Sequence, residues 1–320
     1  MKVALVGKGG SGKTTLSALL SRYLSERKLP VIAIDADINQ HLGKTLGLDD
    51  KELASIPPLG IEVKRIKKYL RGNNPLISNA DLMIKTTPPG RGSRLLKVRE
   101  NNPIYDYFMR TVNGVGFMAV GAFTEEDLGI KCYHSKTGAV ELLLNYLIDK
   151  EKEYIVVDMT AGSDSFASGL FTRFDVTLVV VEPTLKSVDV FNQYKKYAEN
   201  YDVNTKAIGN KVESREDIKF LQDKVGEDLI AVFYQSNFIR KNDRGEMLPV
   251  SYLESENLKS LEIIKQCIDE QKKDWERFYQ QAAEFHIRNA KSWANVTLGE
   301  DLTRQIDNEF IFNAASIQLV

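Results

Sequence analysis

Gly7-Lys8-Gly9-Gly10-Ser11-Gly12-Lys13-Thr14-Thr15 is the stretch that decides the fold. From Gly7 to Thr14 it has the spacing G-x-x-x-x-G-K-T of a phosphate-binding loop. Before it, Lys2-Val3-Ala4-Leu5-Val6 reads as a short apolar strand. After it, Leu16, Leu19, Leu20, Tyr23 and Leu24 fall at helical spacing. Strand, glycine loop and helix together aim backbone N–H groups and a helix N-terminus at a polyphosphate. The glycines at 7, 9, 10 and 12 let the backbone wrap where a Cβ would clash. In such a loop Lys13 reaches the outer phosphates and the Thr14 hydroxyl ligates Mg²⁺.

Outward from the loop, apolar β-branched runs alternate with helical patterns. The candidate strands are Lys2–Val6, Val31–Asp35, Val115–Val120, Tyr154–Asp158, Val176–Glu182, Thr205–Asn210 and Asp228–Phe233. This alternation predicts an α/β fold, a mostly parallel sheet with helices on both faces. Two strands end in carboxylates where open α/β sheets bind their ligands. One is Ile34-Asp35-Ala36-Asp37. The other is Tyr154-Ile155-Val156-Val157-Asp158, a Walker B pattern whose aspartate holds Mg²⁺.

The pattern K-G-G-x-G-K-[ST]-[ST], begun by Lys8, resembles the deviant P-loop of the MinD/ParA group of ATPases. The resemblance implies a P-loop NTPase fold, ATP and Mg²⁺ as ligands, and a nucleotide-sandwich homodimer. It implies that Lys8 crosses to the phosphates held by the other subunit, acting like an arginine finger. Asp37 then orients the attacking water, Asp35 sits nearer the metal, and Gly162 hinges toward the γ-phosphate. Asn210 recognises the purine, and Glu182-Pro183 lies near the nucleotide. Asn210-Lys211-Val212-Glu213 departs by one methylene from the Asn-Lys-x-Asp of GTPases, and the resemblance favours ATP over GTP.

Within the group the chain most resembles the nickel-handling ATPases of carbon monoxide dehydrogenase maturation. Those carry Cys-x-Cys at a helix start facing the partner, where this chain has Cys132-Tyr133-His134. Two subunits would then offer two cysteines and two histidines to one Zn²⁺ or Ni²⁺. Cys-x-His is not itself a metal signature.

Composition bounds the rest. With 320 residues the chain can bury a large core, and 43 basic against 44 acidic residues select no partner. Two distant cysteines, no secretory signal and no apolar run near the roughly 20 residues of a membrane span point to the cytoplasm. Residues 1–270 read as the ATPase domain, with 61–130 a basic insertion facing a client or the dimer partner. Between Ile61 and Glu100, ten basic residues stand against three acidic ones. This is either a docking surface for an anionic partner or ordinary solvated charge. Residues 271–320 read as a helical extension, whose stripe Trp275, Phe278, Ala282, Phe285, Asn289 and Trp293 predicts packing onto the domain. The functional expectation is a dimeric ATPase that drives metal-centre maturation or remodels a client protein. The alternatives are a ParA-like positioning ATPase bound to nucleic acid, and a nucleotide-gated scaffold with little turnover.

Overall fold

The computed structural model describes residues 1–122, 133–160, 166 and 168–313; the side chains of 133–135 are also outside the description. Its strands are β1 (Lys2–Gly7), β2 (Val31–Ala36), β3 (Leu96–Lys97), β4 (Arg110–Val112) and β5 (Val115–Ala119). They continue with β6 (Leu147–Ile148), β7 (Tyr154–Met159), β8 (Val176–Val181), β9 (Thr205–Val212) and β10 (Leu229–Tyr234). The main sheet has eight strands in the order β10-β9-β8-β1-β7-β2-β5-β4. Every pairing in it is parallel except β4 with β5. All seven strands expected from the sequence are there. The edge strand β4 and the separate β3–β6 pair were not anticipated, because two or three residues are too few to show a period.

The strands are apolar throughout because both faces are covered. Along β1, Ala4 and Val6 enter one core while Val3 and Leu5 enter the other. The second core is closed by α1 (Lys13–Glu26), α2 (Leu42–Leu46), α3 (Asp50–Ala54), α9 (Asn237–Asp243) and α10 (Ser255–Asp269). The first is closed by α4 (Val63–Arg71), α5 (Pro103–Phe108), α6 (Tyr133–Tyr146), α7 (Leu185–Glu199) and α8 (Arg215–Val225). In a parallel sheet all carboxyl ends lie together. The strands β1, β2, β7, β8 and β9 therefore deliver Gly7, Asp35, Asp158, Glu182 and Asn210 to one rim.

At the opposite rim a charged cluster is buried. Asp149 lies 3.3 Å from the Lys2 Nζ and 2.8 Å from that of Lys273, which also reaches Asp175 at 2.5 Å. Lys2, fully buried, sits under the rings of Trp275 and Phe278. Those rings belong to α11 (Trp275–Asn289), which continues through a π-helical turn at 290–294 into α12 (Asn295–Leu298). Phe278 and Ala282 of α11 are buried, whereas Trp293 is 44% exposed. His286 is buried too, its Nε2 2.9 Å from the Leu302 carbonyl and its Nδ1 3.4 Å from the Thr86 hydroxyl. A carbonyl only accepts, so Nε2 carries a proton, and burial disfavours the charged ring. Tyr279 donates to the Asp307 carbonyl, and the Asp307 carboxylate pairs with Arg91 at 2.8 Å.

That last pair shows what the basic stretch does. Each of its five arginines is engaged within the chain. Arg65 stacks on Tyr107 and Arg94 lies over Tyr69; Arg71 donates to the carbonyls of Ile77 and Ser78. Arg91 binds Asp307 and Glu309, and Arg99 sits 4.0 Å from Glu153.

Candidate functional site

Gly7 ends β1 with its Cα packed on β8, where a Cβ would meet the Val180 carbonyl oxygen at 2.5 Å. Gly10 and Gly12 have φ of 80° and 97°, the left-handed region that disfavours side chains. At Gly12 a Cβ would also collide with the Asn210 side-chain nitrogen. Gly12 caps α1, whose first N–H groups have no partner within the helix and face the loop. The loop, α1 and the β2 terminus enclose a cavity of about 370 Å³. Gly9, Gly10, Lys13, Asp37, Asn39 and Thr160 are among its walls.

Within it the expected side chains converge. Lys13 is buried, with Nζ 3.9 Å from the Asp37 carboxylate. The Thr14 hydroxyl donates to Asp158 at 2.6 Å, and that of Ser17 to its other oxygen at 3.3 Å. Asp35 and Asp158 face each other in register on β2 and β7. Asp35 accepts from the backbone N–H of Leu42 at 2.9 Å and of Asp37 at 3.2 Å. Burial, then the proximity of Asp158, raises the Asp35 carboxyl well above its ordinary range. Burial likewise pushes Asp158 up to about 7, against the pull of the Thr14 hydroxyl and Lys13. Two carboxylates buried side by side disfavour each other's charge. A hard divalent ion would relieve that repulsion, with Thr14 and Asp158 as the oxygen ligands that would hold it.

The other rim residues brace the loop. Asn210 donates its side-chain amide to the Ser11 carbonyl at 2.7 Å. Lys211, held at a left-handed φ of 58°, reaches the Gly10 carbonyl at 2.6 Å and Glu182 at 2.7 Å. Glu182 also sits 3.7 Å from Lys8, whose side chain is 39% exposed. Pro183 precedes Thr184, the N-cap of α7, while Thr15 lines the cavity. Sequence reasoning missed Ser17, although it stands three residues after Thr14 on the same helix face. It also missed Gln40, which donates to the Asp37 carbonyl at 2.7 Å and accepts from Gly121. No local pattern marks that residue.

Cys132 and Gly162 lie outside the described residues, as does the side chain of His134. Among the described residues no three His, Cys, Asp or Glu side chains gather to hold a metal ion, and no helix is long and apolar enough to cross a membrane.

Comparison with known proteins agrees with this geometry. The chain is 27% identical over 228 residues to the carbon monoxide dehydrogenase accessory protein CooC of Rhodospirillum rubrum, covering 71% of this chain and 80% of that one. An uncharacterized ATP-binding protein of Methanocaldococcus jannaschii is 28% identical over 72% of this chain and 81% of its own. An iron-sulfur cluster carrier protein of Mycobacterium tuberculosis is 27% identical over 30% of this chain and 32% of its own. Among solved structures, the septum site-determining protein MinD with Mg-ADP from Pyrococcus horikoshii superposes with a TM-score of 0.55. That match has 18% identity and covers 84% of this chain and 96% of MinD. The family match itself runs over residues 2–249, from β1 to the end of the loop after α9. By that match and this cradle, the chain belongs to the CobQ/CobB/MinD/ParA nucleotide-binding domain family.

Proposed function

We propose that the chain is a Mg²⁺-dependent ATPase that works as a nucleotide-bound homodimer and couples hydrolysis to metal-centre maturation or client remodelling. The observation that carries this is a surplus cation. Lys13 already occupies the interior of the cradle, 3.9 Å from Asp37, while Lys8 stands at the rim beside Glu182 and open to solvent. A rim lysine serves the phosphates of a second subunit better than those of its own. Lys13 counters the phosphate charge, Thr14 and Asp158 would hold the metal, and Asp37 fixes a water in line with the scissile bond. Mg²⁺, when bound, neutralises phosphate charge and orients the polyphosphate.

The printed name of the Rhodospirillum rubrum relative favours metal-centre work over the ParA-like alternative. The internal commitment of the five arginines points the same way, because arginine is the better clamp for nucleic-acid phosphates. In the metal reading, Cys132 and His134 from two subunits take one Zn²⁺ or Ni²⁺. Elemental analysis should then give one metal per two chains, lost in Cys132→Ala. Uptake at one per chain, or none, removes that part.

The test of the whole is Lys8→Ala beside Asp37→Ala. Lys8→Ala should bind ATP as a monomer and lose about 10³-fold or more in turnover. Asp37→Ala should accumulate as an ATP-bound dimer that turns over slowly. Light scattering with ATP reads both. A wild type that stays monomeric with every nucleotide defeats the sandwich, and wild-type binding without turnover leaves the gated scaffold.

A further inference from the structure

A second cavity lies away from the nucleotide, between the family domain and the segment that follows it. It measures about 390 Å³ and is built by α4, the chain at Ile84–Lys85, α6 and the end of α11. Its floor is aliphatic: Val63, Ile84 and Leu142. One wall is Trp293, which lies beyond residue 249 where the family match ends. The Trp293 indole N–H donates to the Asn289 side chain at 3.1 Å, so the ring's one donor is satisfied and its apolar face is what remains to offer. The π-helical turn at 290–294 carries this tryptophan, and wide turns of that kind recur at functional sites.

The charge around the cavity has one sign. Lys67 and Lys85 line it, and among the described residues no carboxylate does. Among the described residues neither lysine has an ion pair within 4.0 Å, in contrast to the engaged arginines of the same stretch. Asp81 and buried Glu141 act on them only at longer range. Gly138 explains how Lys85 is seated. A Cβ there would lie 3.0 Å from the Lys85 Cβ, so the glycine lets the lysine stem lie across α6 despite its cost to the helix. Val63 and Lys67 are one turn apart on α4 and share its cavity-facing side.

We propose that this cavity is a docking site for an acidic segment of a partner protein, with an apolar side chain seated between Trp293 and Leu142 and carboxylates paired to Lys67 and Lys85. It goes beyond the nucleotide reading and does not depend on it. A protein segment fits better than a nucleic acid. The floor is aliphatic and concave, a single aromatic ring is present, and the stretch's arginines are occupied elsewhere. The half-exposed ring, with Val296 88% exposed beside it, leaves apolar surface for the segment to cover.

The full-length chain carrying Trp275→Phe keeps Trp293 as its sole tryptophan and supplies the readout. The probe is a fluorescein-labelled hexapeptide Glu-Asp-Leu-Phe-Glu-Asp, with its lysine-for-acid counterpart as control. The acidic peptide should shift Trp293 emission and raise anisotropy, more weakly in high salt. Lys67→Glu with Lys85→Glu, and separately Trp293→Ala, should each weaken it at least about tenfold, or roughly 1.4 kcal/mol. Circular dichroism checks that each variant is folded, and because Lys67 and Lys85 are half-buried, Lys67→Gln with Lys85→Gln provides a milder pair. The proposal is overturned by no binding at about 1 mM peptide, by equal binding of the lysine peptide, or by variants that bind like the parent. It is also overturned if a single-stranded oligothymidylate binds more tightly than the acidic peptide and displaces it.

Discussion

The two rims of one sheet each bury a pair of aspartates, and the pairs are treated in opposite ways. At the amino ends, Asp149 and Asp175 are met by Lys2 and Lys273 within 3.3 Å. Burial alone would raise Asp149, yet the surrounding cations hold it below the ordinary carboxylate range. At the carboxyl ends, Asp35 and Asp158 have hydroxyl and backbone donors, and burial raises both. The difference separates a cluster neutralised within the chain from one that, in the proposed function, a metal–polyphosphate would neutralise. A self-neutralising cluster has nothing left to bind, whereas an under-neutralised one turns its electrostatic cost into affinity for a metal–polyphosphate.

Removing the cation from the compensated pair should have the largest effect. Lys273→Met takes the 2.5 Å cation from Asp175 and leaves Asp149 with Lys2 and the Met1 amino group. Breaking a buried ion pair by removing one partner costs about 3–5 kcal/mol. Urea denaturation should show the midpoint fall accordingly. A loss under about 1 kcal/mol would mean the lower cluster is solvated and the contrast with the upper rim is false.

Acid separates the rims next. Asp149, held below its ordinary value of 3.8, gives up its contribution only below that pH, and the upper carboxylates gain by protonation, so a loss of stability at milder acidity should come from elsewhere. His286 is that group, lowered from 6.5 to about 4 by burial and opposed only by its bond to the Leu302 carbonyl. Because the folded pKa is depressed, the unfolded chain binds the extra proton between those values. Stability present above pH 6.5 is therefore lost as pH falls toward 4, by about 3 kcal/mol in full. His286→Gln should remove that loss, so the stability of the variant relative to wild type should rise by about that amount as pH falls from 6.5 to 4. An unchanged slope in the variant removes His286 as the cause.

Third in size, Lys13→Ala takes a buried cation from beside Asp37. Charge-assisted contacts are worth about 1.5–3 kcal/mol, so affinity for Mg·ATP should drop on the order of 10- to 150-fold. Calorimetry showing wild-type affinity would sink the phosphate-loop assignment.

How much of this was legible in the sequence follows from the range of the interactions. The cradle is local: Gly7 through Thr15 is one short loop running into α1, and its glycines at 7, 10 and 12 are needed by the backbone geometry they adopt. The strands that bring Asp35, Asp158, Glu182 and Asn210 to the same rim are continuous apolar runs, and a parallel sheet aligns their ends without further information. The lower cluster was invisible, because Lys2, Asp149, Asp175 and Lys273 are joined only by folding and carry no spacing. The same holds for the basic stretch. Composition counted its charges, but only the packing against Tyr107, Tyr69 and Asp307 divides its arginines from its lysines. Gln40 escaped for a related reason: a left-handed φ of 52° turns its amide back onto the β2 terminus.

The smallest effect is the most discriminating, because its sign changes with the ligand. In the free protein Asp158→Asn relieves the repulsion with Asp35. It also gives up one acceptor, since the amide nitrogen cannot receive the second of the hydroxyl bonds from Thr14 and Ser17. Relief of a buried charge outweighs one such bond, and the net should be a stabilisation of about 1 kcal/mol. With Mg²⁺ and nucleotide the balance reverses. In the proposed function the wild type gains the binding free energy of a metal held between both carboxylates, while the variant offers only that of Asp35 and gains less. Thermal midpoints of both proteins, measured with and without Mg·ADP, should therefore cross: the variant higher when free, the wild type higher when bound. A variant destabilised in both states would show that Asp158 is a structural acceptor like those of the opposite rim.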